Sequence, residues 1–164
     1  MQRNASASSC STASTEVPLY FAYGSNLKAE RLIERVGAAP ATGRAQLADH
    51  GLSFAKRGRD GSGKACFEAA LGQTLWGVAY SLTSEQFEIL DRFERGYDRV
   101  EISIRVEQSG LLAAVTYQAA RFTDDPTPFD WYKQLIVDGA REHGLPSEWQ
   151  AMLAATPARP QPAD

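Results

Sequence analysis

Two short stretches of this chain combine residue types in an order that can do chemistry. The first is Tyr20-Phe21-Ala22-Tyr23-Gly24-Ser25-Asn26-Leu27. It reads as an apolar, aromatic strand that turns on Gly-Ser-Asn into a helix. Such a turn leaves backbone N–H groups unpaired at a helix N-terminus, where they can hold a carboxylate, a phosphate or a developing oxyanion. The same residues have a plainer use if Ser25 or Asn26 only caps the helix, and on spacing alone that use is the commoner one. The second stretch is centred on Glu94. A helical residue advances about 100°, so relative to Phe87, Leu90 lies at about 300° and Glu94 at about 340°, inside the apolar stripe. Glu94 also stands in the last turn, beside the negative end of the helix dipole. Burial and dipole both disfavour the charged carboxylate and raise its pKa toward the range of a general base or acid. Two plainer outcomes stay open: the helix ends a residue early and Glu94 turns to solvent, or Glu94 pairs with Arg92 or Arg95.

Other candidates carry less. Asp91 lies about 40° from Phe87 and reads as a solvated charge at the helix edge. Glu101 belongs to the polar face of a strand, and Tyr132 reads as a core tyrosine on the inner face of its helix. Lys56-Arg57-Gly58-Arg59 reads as a solvated basic turn, and Cys66 as a buried, inert strand residue. The two cysteines, Cys10 and Cys66, and the two histidines, His50 and His143, make neither a disulfide framework nor a four-ligand zinc site. No Ser-His-Asp or Cys-His set and no phosphate-binding glycine pattern occurs.

The elements that must position these residues follow from periodicity. Strands are expected at Val17–Tyr23, Ala41–Ala48, Leu52–Lys56, Ala65–Leu71 and Thr74–Leu82, with the polar Gly58–Gly63 stretch as a hairpin turn. Lys28–Val36 reads as a helix with Leu32, Ile33 and Val36 on one side and Gly37 past its end. Thr83-Ser84-Glu85-Gln86 is a capping-box start for a helix to about Phe93 or Glu94, with Gly96 past its end. Arg99–Val106 alternates cleanly, Val100, Ile102, Ile104 and Val106 facing one way, and Leu111–Ala120 is a further strand. A helix from about Asp130 to Glu142 ends at Gly144, and Pro146 opens a last short one. Seven or so strands with three or four helices make an α+β fold, a small, mixed, barrel-like sheet with flanking helices.

The chain has 164 residues, 43% of them apolar, enough for one domain with a real core. The composition of residues 1–16 predicts a disordered leader, residues 17–153 the working domain, and residues 154–164 a Pro-rich tail. A formal net charge of −3 argues against nucleic-acid binding through a basic surface and against a polybasic membrane anchor. The longest apolar runs, Leu19–Tyr23 and Leu111–Val115, are five residues, against the ~20 that cross a bilayer. A cytoplasmic location is expected. Nothing marks a subunit interface, and a homodimer stays open.

The two chemical stretches coincide with a known pattern. The chain resembles the γ-glutamylcyclotransferase, or AIG2-like, family. The match rests on Tyr20–Leu27, on Leu90-Asp91-Arg92-Phe93-Glu94, and on Tyr132-Lys133 through Gly139-Ala140 to Gly144-Leu145-Pro146. The resemblance implies a small barrel-containing fold and conversion of a γ-glutamyl compound into 5-oxoproline and a free amine or amino acid, with no metal or organic cofactor. It places the catalytic acid/base on Glu94, the substrate-holding loop on Tyr20, Phe21, Ala22, Tyr23, Gly24 and Ser25, completed by Asn26, and a substrate-contacting tyrosine on Tyr132. Familiar members often follow the glutamate directly with glycine, whereas here Arg95 intervenes before Gly96. Arg95 either faces the pocket and favours an anionic substrate or points to solvent. Two other uses of the same site are removal of a γ-glutamyl group from a biosynthetic intermediate and non-catalytic binding of a small acidic ligand.

Overall fold

The structure, a computed structural model, describes residues 18–164; the leader expected over residues 1–16, with Cys10, lies outside them. The chain runs as β1 (Leu19–Ala22), a 3₁₀ turn (Ser25–Leu27), α1 (Ala29–Val36), β2 (Ala41–Arg57), β3 (Gly63–Ser81), α2 (Ser84–Phe93), β4 (Tyr97–Val106), β5 (Gly110–Ala119), α3 (Asp130–Glu142) and α4 (Ser147–Ala155). The strands close into a barrel in the order β1-β3-β2-β4-β5, with β1 parallel to β5 and the other pairs antiparallel. The expected α+β class and mixed barrel-like sheet are therefore present, built from five strands rather than seven.

The difference in strand number has a local cause. The four short strands expected between Ala41 and Leu82 are two long ones that stay paired through their irregularities. The ladder steps from Ala48–Thr74 to His50–Ala69, so residues 70–73 bulge outward and Leu71 is 94% exposed. Asp49 takes a positive φ of 58° at this step, and its carboxylate accepts a hydrogen bond from the Gly72 N–H at 2.9 Å. The polar residues that interrupt the apolar pattern mark a bulge within a hairpin, not its ends.

The helices are placed by local signals and then by packing. Thr83 and Gln86 form the expected capping box at the start of α2, with reciprocal bonds of 3.1 and 2.9 Å. Gln86 then spends its side-chain amide on α1, donating to the carbonyls of Val36 and Ala38. That contact ties the end of α1 to the start of α2. Leu32 and Val36 of α1 are buried as expected, but Ile33 is 48% exposed. In β4, Ile104 and Val106 are buried and Arg99, Glu101, Ser103 and Arg105 exposed, as the alternation requires.

Helix α3 presses directly on the 3₁₀ turn, and Gly139 permits it. A Cβ there would stand 2.5 Å from Leu27 Cβ and 2.6 Å from the Lys28 nitrogen. The Tyr80 hydroxyl donates to the Leu27 carbonyl from the other side. The tail after α4 folds back on the start of α3, where Asp130 N–H donates to the Arg159 carbonyl and Arg159 N–H to that of Pro128. Among the described residues no helix is long and apolar enough to cross a membrane.

Candidate active site

The turn after β1 differs from a plain strand-to-helix junction. Ser25–Leu27 forms a single 3₁₀ turn closed by Leu27 N–H to the Gly24 carbonyl, and α1 begins only at Ala29. The side chains of Ser25 and Asn26 cap neither helix. Both residues are buried, and among the described residues their backbone N–H groups have no acceptor. The turn thus brings two unpaired donors and one buried amide side chain to the lining of one cleft.

Asn26 uses that amide fully. Its nitrogen donates to the Tyr20 hydroxyl at 3.0 Å and to Glu94 Oε1 at 2.9 Å, and its oxygen accepts from Arg35 at 3.2 Å. Glu94 follows the last residue of α2, its N–H still bonded to the Leu90 carbonyl. The helix does end one residue early, yet the carboxylate does not turn to solvent: its side chain is 14% exposed. Its ionic partner is Arg35 of α1, 3.4 Å away, rather than Arg92 or Arg95. The packing of α1 against α2 brings that guanidinium across. Burial pushes the Glu94 carboxyl above its ordinary pKa, and Arg35, the Asn26 amide, Lys56 and Arg31 offset part of this.

Glu94 stands where two cavities meet. A narrow cleft of about 30 Å³ is lined by Tyr20, Tyr23, Gly24, Asn26, Ala65 and Tyr117, and a wider one of about 460 Å³ opens outward; Ser25, Glu94, Tyr97 and Tyr132 line both. The Tyr132 hydroxyl accepts from the Ala65 N–H at 2.9 Å, and the Tyr97 hydroxyl donates to the Ala65 carbonyl at 2.6 Å. Tyr23 donates to the Tyr117 carbonyl. Burial pushes the Tyr20 and Tyr23 hydroxyls well up, and Tyr132 to about 12. These hydroxyls keep their protons at neutral pH.

Of the residues singled out from the sequence, Tyr20, Tyr23, Gly24, Ser25, Asn26, Glu94 and Tyr132 come together here. Phe21 and Ala22 line neither cavity: both are fully buried, and the Phe21 ring lies over Gly77, where a Cβ would come within 2.6 Å of it. Asp91 is not simply solvated. Its partial burial acts upward on its pKa, but hydrogen bonds from Arg99 and Tyr117 hold the carboxyl below its ordinary value. The basic turn is also not merely a solvated one. Lys56 is 6% exposed and donates to the Arg95 carbonyl at 2.9 Å, while Arg57 and Arg59 remain exposed. Cys66 is buried as expected, beside the Ser53 hydroxyl.

Arg35, Arg31, Tyr97 and Tyr117 are parts of the site that sequence reasoning missed. Arg31 and Arg35 are one helical turn apart on α1, a spacing that puts both on one face, and Arg31 donates to the Ser25 hydroxyl at 3.0 Å. No comparable signal marks the two tyrosines. Among the described residues, no group of three or more His, Cys, Asp or Glu stands together in a way that would hold a metal ion.

The fold is thus a closed five-strand α+β barrel in which Asn26, in the turn after β1, holds the buried Glu94 carboxylate at the mouth of a cleft. The chain is similar over most of its length to characterised proteins of this kind. It is 32% identical to the γ-glutamylcyclotransferases of Bos taurus and Homo sapiens, over 82% and 84% of this chain and 76% and 77% of theirs. The model of the AIG2-like family matches residues 74–153. A solved γ-glutamyl cyclotransferase structure superimposes with a TM-score of 0.83 at 28% identity, covering 90% of this chain and 92% of the other. The chain belongs to the γ-glutamylcyclotransferase family and is an enzyme of that type.

Proposed function

We propose that this enzyme cyclises a γ-glutamyl amino acid or γ-glutamylamine, releasing 5-oxoproline and the free amine, with Glu94 as the acid/base. The observation that carries the reading is the position of the Glu94 carboxylate, buried between Asn26 and Arg35 at the junction of a narrow cleft and a wider cavity. The glutamyl end enters toward the cleft and the leaving amine faces the open side.

The reaction needs no protein nucleophile, because the substrate's own α-amine attacks its γ-carbonyl carbon. Glu94 takes a proton from the α-ammonium, whose free pKa is ~8. The amine then forms the ring C–N bond. As the tetrahedral intermediate collapses, the bond to the leaving nitrogen breaks and Glu94 returns the proton to that nitrogen. The ring nitrogen sheds its second proton at this step, and the freed amine regains it to leave as an ammonium. No water is consumed. A carboxyl held above its ordinary pKa suits both halves and contributes roughly 10²–10⁴-fold.

The unpaired N–H groups of Ser25 and Asn26 are donors for the substrate's α-carboxylate or for the γ-oxyanion. Tyr132, fixed by Ala65, lines the cleft beside Gly24. Orientation of the chain so that amine meets carbonyl is the larger demand, and a tightly bonded site meets it. The test is 5-oxoproline release from a panel of γ-glutamyl amino acids, γ-glutamylamines and glutathione, with Glu94→Gln alongside. Turnover by the unaltered enzyme and its loss in Glu94→Gln, with substrate binding retained, are expected. Full activity of that variant would overturn the mechanism, and binding without turnover by the unaltered protein would favour a ligand-binding role.

A further inference from the structure

The open cavity is strongly basic in a protein whose formal net charge is −3. Seven basic side chains line it against two carboxylates, and both carboxylates are already paired, Glu94 with Arg35 and Asp60 with Lys64. Among the described residues, Arg31, Lys56, Arg59, Arg92 and Arg95 have no carboxylate within ion-pair distance. Arg31 and Lys56 are held by neutral acceptors, the Ser25 hydroxyl and the Arg95 carbonyl. Burial pushes both of these cations toward losing their protons, and for Arg31 the neighbouring Arg35 adds to it. Like charges gathered on a concave, partly desolvated wall repel one another, and an anion entering the cavity relieves the repulsion.

The basic surface continues past the cavity. A neighbouring depression of about 600 Å³ is lined by Lys56, Arg57, Arg59, Arg95 and Arg121, with Asp98 as its acidic side chain. Arg59 and Arg95 line both spaces and so stand on the ridge between them, exposed to solvent. Arg95, the residue inserted between Glu94 and Gly96, thus faces solvent and the cavity at once. Gly96 has a positive φ of 82°, which an L side chain rarely adopts, and a Cβ there would meet Lys56 Cε at 3.0 Å. This turn holds the Arg95 carbonyl against Lys56.

One carboxylate on an ordinary amino-acid leaving group does not match this number of unpaired cations on the outer wall. We propose that the leaving amine of the preferred substrate carries two or more anionic groups, carboxylate or phosphate, received by Arg59, Arg92 and Arg95 on the open side of Glu94. The inference rests on the cyclotransferase reading and specifies its substrate class.

The experiment compares kcat/KM for a near-isosteric pair, γ-glutamyl-glutamate with γ-glutamyl-glutamine, and for a pair that differs by a phosphate, γ-glutamyl-phosphoserine with γ-glutamyl-serine, at low and high ionic strength. The charged member of at least one pair is expected to be preferred about tenfold or more, the effect of one or two well-placed charge contacts. The pair showing the larger preference tells carboxylate from phosphate. The preference should shrink several-fold in the double variant Arg59→Gln/Arg95→Gln and at high salt, since exposed charges are screened. Equal kcat/KM within both pairs, or a preference that survives the double variant, overturns the inference while leaving cyclisation standing. Release of 5-oxoproline from none of the four overturns the cyclotransferase reading and this inference with it.

Discussion

Asn26 donates to the Glu94 carboxylate at 2.9 Å across 68 positions of sequence, and its second N–H reaches the Tyr20 hydroxyl. The amide therefore holds the proposed acid/base in one orientation relative to the barrel. Asn26→Ala removes both bonds and leaves Glu94 with Arg35 as its ionic partner. A fall in kcat of about 10²-fold, with a smaller change in KM, is expected from the lost orientation. Steady-state kinetics on a γ-glutamyl amino acid check it, and an unchanged kcat would remove Asn26 from the mechanism.

Arg35 is the largest influence opposing the upward push of burial on the Glu94 pKa. Its removal raises that pKa further. In Arg35→Met the acid limb of the kcat/KM–pH profile should move to higher pH, because Glu94 must be ionised to accept the first proton. The same variant should lose less activity at high pH than near neutrality. A profile that does not move would show that the limb reports another group.

Stability should depend on pH through Glu94 in a particular direction. The folded pKa lies above the ordinary carboxyl value, so the folded state binds the proton more tightly than the unfolded state. The contribution of that proton to stability is full below about pH 4, near the unfolded carboxyl value, and is lost as pH rises through the folded value. Glu94→Gln, a permanently neutral substitute, should therefore gain stability relative to the unaltered protein between pH 4 and pH 8. Urea midpoints across that range check the sign, and a gap that narrows as pH rises contradicts it.

Gly139 allows α3 to lie against Leu27 and Lys28. Gly139→Ala forces a Cβ into backbone that has little room to yield, which costs about 1–3 kcal/mol. Because the displaced turn carries Asn26, kcat should fall together with Tm. A variant with lowered Tm and unaltered kcat would separate the packing from the site.

Much of the fold was legible in the chain, for identifiable reasons. The alternation of Val100, Ile102, Ile104 and Val106, the Thr83–Gln86 capping box and the helical phase of Glu94 all depend on residues within a few positions of one another. The count of strands was not legible. Asp49 and Gly72 break the local pattern in the same way whether the strand ends or bulges, and only the β2–β3 pairing shows that it bulges. Ile33 shares a helical side with Leu32 and Val36 by spacing, yet among the described residues it is left half exposed.

The residues alone determined that Glu94 directly follows a helix with an apolar stripe of Phe87 and Leu90, and that Gly24-Ser25-Asn26 ends a strand. These are properties of short segments, set by backbone periodicity and turn chemistry. Tertiary structure decided which charge answers Glu94. Arg35 reaches it from 59 positions away across the packed pair α1 and α2, which Gln86 also joins. It also decided that Lys56 is buried against the Arg95 carbonyl 39 positions on, and that basic residues from several elements share one cavity. Charge in a sequence sums to −3 without regard to position. An electrostatic field depends on distance and burial, and only the closure of the barrel and the packing of its helices supply those.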